Sequence, residues 1–256
     1  MSVHQQIVDR VLIVTIDRPE TRNAIDRPTS DALAEAFTGF DNDDRLAAAV
    51  LTGAGGTFCS GADLKAVSSG TGTRVHDDMS RNGPLGPTRR LLTKPVIAAV
   101  EGHAVAGGLE LALWCDLRVA ADDATFGVYC RRWGVPLIDG GTIRLPRLIG
   151  QSHALDMILT GRAVRGDEAG RIGLVNRVVA PGLALAAAIE LATAIAMFPQ
   201  GCLRSDRQSS YEQWGMPLDA ALANETRLGQ AVIASGETRE GATRFAQGAG
   251  RHGAFT

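Results

Sequence analysis

The sequence lacks paired cysteines and any large excess of charge, and each absence excludes a class of function. Its four cysteines are Cys59, Cys115, Cys130 and Cys202, and none forms a CxxC pair, so zinc binding and dithiol redox chemistry are not indicated. This cysteine usage is typical of the reducing cytosol, and we expect a cytoplasmic location. The formal net charge is -2 and no basic stripe occurs, so nucleic acid is not an expected partner.

Long apolar runs and several common site motifs are also missing. No apolar run reaches the roughly 18 residues that suggest a membrane-spanning helix, and residues 1–10 lack the apolar core of a signal peptide. Gly53 and Gly55 could begin a dinucleotide-binding fingerprint, but Phe58 occupies the place of its third glycine. Ser60 lacks the flanking glycines of a nucleophile elbow, and no histidine has metal-ligand spacing. We therefore expect no membrane span and no metal.

The pattern that is present alternates strands with helices and then becomes helical. Buried strands are predicted at Val11–Ile16, 48–52, 95–100, 117–120 and 175–179. Helices are predicted at 29–40, from 64, and at 88–93, 106–114, 152–159 and 167–172, with nearly continuous helix from 183 to the end. Residues 68–87 are polar and predict a mobile surface loop that could cover a site. This order predicts an α/β core with a helical C-terminal region.

Two glycine-rich junctions between a strand and a helix are the strongest local signal. The first is segment 58–64, which contains Gly61, and the second is segment 100–110, which contains Gly107 and Gly108. The first N–H groups of a helix have no partner inside the helix, and the helix dipole favours negative charge there. Two such junctions that lie side by side form an oxyanion hole. The alternative is that these glycines only allow helix and strand to pack closely.

A series of short motifs then follows one order along nearly the whole chain. They are RPETRNA at 18–24, LTG at 51–53, GADLK at 61–65, KPVIAAV at 94–100, GGLELA at 107–112, CDLRVA at 115–120, GGTIRLPR at 140–147, LTG at 159–161 and GLVNRV at 173–178. Each motif is weak by itself, but their joint order and spacing are highly specific. In this respect the sequence resembles the crotonase (enoyl-CoA hydratase/isomerase) superfamily.

The resemblance implies a fold, a ligand and an assembly. The fold is α/β: a crotonase-like spiral of ββα units with the acyl-CoA site over residues 1–182, and a C-terminal helical trimerisation region over residues 183–256. The implied substrate is an acyl-CoA thioester, and no cofactor is implied beyond the coenzyme A that this substrate carries. The implied assembly is a homotrimer or a hexamer built from two trimers.

The resemblance also assigns roles to individual positions. Ala62 and Gly107 match the two oxyanion N–H donors, and Glu110 matches one of the two catalytic glutamates of the hydratases. Glu110 lies three residues after Gly107, so one helical turn brings its side chain back toward the start of the helix. The alternative is that Glu110 is an ordinary helix residue. The positions that match the family's CoA-binding segments are Arg22, Ala24, Ala62, Asp63, Leu64, Lys65 and Gly107.

The sequence departs from the hydratase pattern at two positions beside the implied site. Cys130 occupies the position of the second glutamate, and a thiol, with an ordinary pKa near 8.5, is a poor substitute for a carboxyl group. Asp139 stands before Gly140 and Gly141, where the hydratases usually carry a small residue. Asp139 either caps the next helix or compensates for the missing glutamate as the catalytic partner of Glu110. Cys130 is alternatively a packing residue.

Three functions therefore remain open from the sequence. Hydration of a 2-enoyl-CoA to a 3-hydroxyacyl-CoA is the leading hypothesis, with Glu110 and Asp139 as the carboxylate pair. Movement of a double bond along an enoyl-CoA needs only one base, so a site with a single carboxylate favours an isomerase. A non-catalytic acyl-CoA-binding member of the family is the third. Bulky residues at 129, 131 and 133 also predict an altered acyl pocket.

Overall fold

The structure is a computed structural model that describes residues 2–250 of the chain. Within this range the strands are β1 (Val3–Val8), β2 (Val11–Ile16), β3 (Ala48–Gly53), β4 (Val96–Val100), β5 (His103–Val105), β6 (Leu117–Ala121), β7 (Thr125–Gly127), β8 (Val164–Arg165) and β9 (Arg177–Val179). The α-helices are α1 (Arg27–Asn42), α2 (Leu64–Ser68), α3 (Gly107–Trp114), α4 (Gly141–Thr160), α5 (Gly166–Arg171), α6 (Ala184–Met197), α7 (Gln200–Glu212), α8 (Leu218–Ser235) and α9 (Glu237–Ala246). Single 3-10 turns cover Pro19–Thr21, Pro87–Arg89 and Tyr129–Trp133.

Two sheets carry the α/β core. The larger has six strands in the order β1-β2-β3-β4-β6-β9, and the smaller has three in the order β5-β7-β8. In the larger sheet β1 runs antiparallel to β2, and all the other neighbouring strands are parallel. The predicted α/β class with a helical C-terminal region is confirmed.

Helices cover both faces of the larger sheet, and this explains its apolar central strands. On one face, Leu33 and Phe37 of α1 belong to the main hydrophobic cluster, together with Leu109 of α3. On the other face, Ala188 and Leu191 of α6 pack with alternate residues of the same strands. Parallel strands buried on both faces have continuous β-branched and apolar runs, and β3 and β4 follow this rule.

The contacts divide the chain into two compact units, with the boundary between Ala196 and Met197. The domain boundary expected from the sequence, at 182–183, assigned α6 to the C-terminal region. In the structure the small side chains of α6 pack on the sheet, within the first unit. Helices α7, α8 and α9 belong to the second unit, and the part of the predicted helical region at 251–256 lies outside the described residues. Among the residues described, no single helix is long and apolar enough to cross a membrane, and only the bent pair α6 and α7 meets that test together, by length and composition.

Three predicted segments differ from the structure. The helix predicted at 88–93 is wrong, because only the 3-10 turn Pro87–Arg89 forms there and Arg90 already has extended φ/ψ. The helix predicted at 152–159 begins much earlier, at Gly141, and is interrupted by a kink at Gly150, whose φ is 78°. The predicted surface loop 68–87 ends in a buried stretch, since residues 83–87 are buried.

Four short or polar strands were not predicted from the sequence. In β1 only Val3 is buried, so this edge strand shows no apolar alternation. Strands β5, β7 and β8 have three, three and two residues, too few for a period to be recognised. Strands β5 and β7 nevertheless position the second glycine-rich junction, because β5 is part of that junction and β7 pairs with it.

Candidate active site

The two glycine-rich junctions lie against each other. The amide of Cys59 donates to the carbonyl of His103 at 2.8 Å, and the amide of Val105 donates to the carbonyl of Cys59 at 3.1 Å. A Cβ placed on Gly61 would lie 2.8 Å from the amide nitrogen of Gly107, and one placed on Gly108 would lie 2.0 Å from the carbonyl oxygen of Cys59. The glycines therefore do allow close packing, and this packing is also what brings the two junctions together.

The amides predicted to be oxyanion donors have no hydrogen-bond partner among the described residues. Ile25 donates to Gly61 and accepts from Asp63, so the amide of Ala62, which lies between them, is left without a partner in residues 2–250. The amide of Gly107, at the first position of α3, likewise donates to no group in this range. Two neighbouring donors with no partner in residues 2–250, one of them at the start of α3, are suited to hold an oxygen that carries negative charge.

The backbone is strained at Ala106, directly before the second donor. Its φ of 54° and ψ of -125° lie in a region that residues with a side chain rarely adopt. The strained residue is anchored on both sides: its amide donates to Gly127 in β7, and its carbonyl accepts from the amides of Leu109 and Glu110. Strain of this kind persists where the surroundings fix the backbone, and here it lies at the residue directly before the Gly107 amide.

Glu110 lies in this site with one carboxylate oxygen fixed and the other available. It is 3% exposed, and its Oε1 accepts the amides of Asp139 at 2.9 Å and Gly141 at 2.8 Å. Among the described residues, no group donates a hydrogen bond to Oε2. This oxygen is also not one of the fully buried polar atoms that lack a partner, so it is accessible. Burial raises the pKa of Glu110 to about 7, the charge of Asp139 adds to the rise, and the two amide hydrogen bonds oppose it.

Asp139 lies next to Glu110, but its carboxylate binds a different segment. Its Oδ1 accepts the amide of Leu85 at 3.0 Å and a hydrogen bond from the Thr88 hydroxyl. Burial raises the pKa of Asp139, against the hydrogen bonds from Thr88 and Leu85. The alternative role as a helix cap is wrong, because the N-cap of α4 is Gly140 and the Asp139 carboxylate accepts from Leu85 and Thr88, not from an amide of α4.

Cys130 is also buried at this site, on the 3-10 turn that follows β7. Burial raises the pKa of its thiol, and the nearby charge of Glu110 raises it further. The thiol is therefore protonated at neutral pH and is neither a base nor a nucleophile in this state. A thiol thus stands beside Glu110 where the hydratase pattern implies a second carboxylate.

The segments predicted to bind coenzyme A are adjacent. The amide of Ser60 donates to the carbonyl of Arg22 at 3.1 Å, and Ile25 bridges to Ala62. The Asp63 carboxylate is already engaged, because it caps α2 and lies 3.1 Å from Arg18. CoA binding by Arg22, Ala24, Asp63, Leu64 and Lys65 stays a prediction. Leu64 and Lys65 are exposed beside the site, whereas Ala24 is buried.

Four residues around the carboxylates were not found from the sequence. Leu85 and Thr88 hold Asp139, and Arg144 donates to the carbonyls of Asp139 and Thr88. Gly141 leaves room for Glu110, since a Cβ there would lie 2.9 Å from Oε1. The hydrogen bonds from 85 and 88 to 139 join residues more than 50 positions apart, so no local pattern marks them.

Among the described residues, no cluster of three or more His, Cys, Asp or Glu side chains could hold a metal ion.

Comparison with known proteins identifies the class to which this fold and site belong. The chain belongs to the enoyl-CoA hydratase/isomerase family, whose family model matches residues 6–250. It is 39% identical over 247 residues to the enoyl-CoA hydratase EchA19 of Mycobacterium tuberculosis, a match that covers 92% of this chain and 90% of that protein.

One further relative is named for a different substrate, and a solved structure shares the fold. A carnitinyl-CoA dehydratase of Salmonella arizonae is 45% identical over 184 residues, which cover 71% of this chain and 69% of that protein. Among solved structures, the enoyl-CoA hydratase EchA1 of Mycobacterium marinum superposes with a TM-score of 0.91 at 40% identity, over 96% of both chains. The crotonase fold implied by the sequence is confirmed by this similarity.

Proposed function

We propose that the protein is an enoyl-CoA hydratase, which adds water to a 2-enoyl-CoA to give a 3-hydroxyacyl-CoA. The amides of Ala62 and Gly107 hold the thioester oxygen, which becomes negative when water attacks the β-carbon. The observation that carries the proposal is a pair of adjacent amides that donate to no group in residues 2–250, with a carboxyl group of pKa about 7 one helical turn after Gly107. Names of relatives at 37–39% identity over most of the chain agree with it.

The carboxylate pair of this hydratase is Glu110 and Asp139. Glu110 takes a proton from water as the oxygen–carbon bond forms, and a pKa near the working pH suits a general base. The proton for the α-carbon comes from Asp139, whose Oδ2 has no hydrogen-bond partner within residues 2–250. Burial favours the protonated form of Asp139 that this step needs.

The chemistry needs no cofactor beyond the CoA of the substrate, because the amides stabilise the enolate and the carboxyl groups move the protons. Coenzyme A lies along the early loop at Arg22 and Ala24, and along Ala62, Asp63, Leu64 and Lys65. Main-chain atoms of Asp63 serve better than its carboxylate, which Arg18 and the start of α2 already occupy.

The assembly is a homotrimer or a pair of trimers in the cytoplasm. The second unit exposes several large apolar side chains in the single chain, such as Trp214, Leu218 and Leu222. Apolar surface of this extent is typical of a face that another subunit covers. Light scattering after size-exclusion chromatography measures the mass; a monomeric mass would contradict this part of the proposal.

Isomerisation of a double bond is the second candidate, and Cys130 is the observation that favours it. A protonated thiol replaces one expected carboxyl group, and isomerisation can proceed with Glu110 as the only base. The test is incubation with crotonyl-CoA and, separately, with a 3-enoyl-CoA, followed by the conjugated enoyl absorbance. Loss of absorbance from crotonyl-CoA supports the hydratase. A gain from the 3-enoyl-CoA alone selects the isomerase, and binding without either change selects a non-catalytic acyl-CoA-binding protein.

A further inference from the structure

A cavity distinct from the carboxylate site lies between α1 and the segment that follows α2. Its volume is about 410 Å³, within the range of small-molecule pockets. Four guanidinium groups and one carboxylate line it, together with polar side chains and a glycine. The charged lining residues are Arg27, Arg74, Arg81, Arg90 and Asp31. We propose that this cavity binds an anionic group, a carboxylate or a phosphate, of a small molecule.

The arginines are held in place in different ways. Arg27 donates twice to the carbonyl of Gly72 and so ties the segment to the start of α1. Arg90 donates to the hydroxyl of Thr38, near the other end of the same helix. These hydrogen bonds go to neutral oxygens, and neither arginine forms an ion pair with another residue of the range 2–250. Four guanidinium groups around one cavity repel one another, and a bound anion relieves this repulsion.

Arg74 is the arginine best placed to take up a ligand. No ion-pair or hydrogen-bond partner for its side chain exists within residues 2–250, whereas Arg81 lies 3.9 Å from the exposed carboxylate of Asp78. A guanidinium group presents a planar set of donors that matches a carboxylate or phosphate in pairs. His76, which also lines the cavity, lies 3.4 Å from Arg81 and adds a further nitrogen.

The cavity adjoins the carboxylate site through one short segment. Gly83 lines the cavity, and a Cβ placed on Gly83 would lie 2.9 Å from Oδ1 of Asp139. Ser30, also in the lining, donates to the carbonyl of Pro84, next to the Leu85 amide that binds Asp139. An anion here has two possible sources: a carboxylate at the far end of the acyl chain, or a separate phosphate-bearing molecule. Only the first source depends on the proposed hydratase function.

Binding of inorganic phosphate tests the site without any turnover. Isothermal titration at constant ionic strength, with chloride as the reference anion, gives saturable binding to the wild-type protein. Arg74→Gln weakens it about tenfold, because one charge-assisted contact is lost. Asp31→Asn strengthens it about twofold to fivefold, because a like charge is removed from the lining. The matched control Arg171→Gln, in an exposed pair with Asp167 outside the cavity, leaves it unchanged.

Turnover then identifies the source of the anion. Two 2-enoyl-CoA substrates of equal length are compared, one ending in a carboxylate and one in a methyl group. A wild-type preference for the carboxylate, lost in Arg74→Gln, assigns the site to the substrate; phosphate binding without such a preference assigns it to a separate ligand. The proposal is overturned if phosphate does not bind and the two substrates react alike, or if Arg171→Gln acts as strongly as Arg74→Gln. Failure of wild-type turnover on the methyl-ended substrate contradicts the hydratase instead, and phosphate binding still decides the site.

Discussion

The carboxylate of Glu110 accepts a hydrogen bond from the main-chain amide of Asp139 at 2.9 Å, so the Glu110 side chain is bonded to the backbone of Asp139 and not to its carboxylate. Each carboxylate keeps one oxygen fixed by the protein: Oε1 of Glu110 by two amides, and Oδ1 of Asp139 by Leu85 and Thr88. The other oxygen of each accepts no hydrogen bond from residues 2–250. The pair is therefore held in position while one oxygen on each side remains available for a proton.

Replacement of Glu110 by glutamine removes the base and keeps the shape. The amide oxygen of glutamine can still accept from Asp139 and Gly141, so the fold is retained. We expect kcat to fall about 10²–10⁴-fold, the usual contribution of a positioned general base. In the wild-type protein kcat/KM rises as pH increases through about 7, because Glu110 must lose its proton. A wild-type pH profile that is flat between 6 and 8 would contradict this role.

The same group makes stability depend on pH in a defined direction. The pKa of Glu110 is raised from 4.5 to about 7 on folding, so the folded state binds the proton more tightly. Its contribution is full below pH 4.5 and is lost as pH rises to 7. Urea unfolding of the wild-type protein and of Glu110→Gln at pH 5 and pH 8 measures the difference. We expect the wild-type protein to lose about 2–3 kcal/mol relative to the variant over this interval; an equal difference at both pH values would contradict the shift.

Asp139→Asn separates a catalytic role from an anchoring role. Asparagine can still accept from the Leu85 amide, but it cannot supply the proton, so we expect at least a 10²-fold loss of hydratase activity. Thr88→Val is the matched control, because it removes the hydroxyl that binds Oδ1 and leaves the carboxyl group. The activity of both variants on crotonyl-CoA and their thermal unfolding are measured and compared. Full activity in Asp139→Asn would show that the pair is wrong.

Gly141→Ala tests the placement of Glu110 without changing any ionisable group. The new Cβ would lie 2.9 Å from Oε1 and 3.0 Å from Cγ of Glu110, so the side chain must move. A displacement of about 1 Å can cost 10²-fold in rate, and we expect a loss of about 10–100-fold with little change in stability. Gly39→Ala is the control, because it lies in α1 with nothing within 4 Å of a new Cβ. Equal activity in both variants would contradict the placement.

Cys130→Ala tests whether the thiol takes part in proton transfer. Its raised pKa keeps the thiol protonated, so we expect kcat to stay within about threefold of wild type. Removal of a buried sulfur should lower the unfolding free energy by about 1 kcal/mol, because a small cavity forms. A loss of activity comparable with that of Glu110→Gln would assign Cys130 to the chemistry and would remove the need for Asp139.

Strongly patterned parts of the fold could be predicted from the sequence. The apolar runs of β2 and β3 and the 3.6-residue spacing of α1 identify these elements because burial on one or both faces shapes their composition. The short strands β5 and β7 could not be found, since their partners lie elsewhere in the chain. The helix predicted at 88–93 failed because tertiary contacts of Thr88 with Asp139 override local propensity.

The candidate site shows the same division between local and distant information. Glu110 and the glycine junctions follow from a motif and from helix geometry, and the structure brings them together. The hydrogen bonds of Asp139 to Leu85 and Thr88 depend on folding of a remote segment, which is why capping and catalysis could not be separated beforehand. The positive φ of Ala106 is similarly accompanied by a hydrogen bond to the distant Gly127, and the residue type gives no sign of it.

In the proposed mechanism, the amides of Ala62 and Gly107 hold the thioester oxygen. Amide proton resonances of protein labelled with ¹⁵N at alanine and glycine test it directly, during titration with butyryl-CoA and, separately, with free coenzyme A. We predict that both amide protons move downfield with the thioester and not with coenzyme A, because only the thioester supplies the carbonyl oxygen. Binding of butyryl-CoA that leaves both resonances in place would contradict the claim.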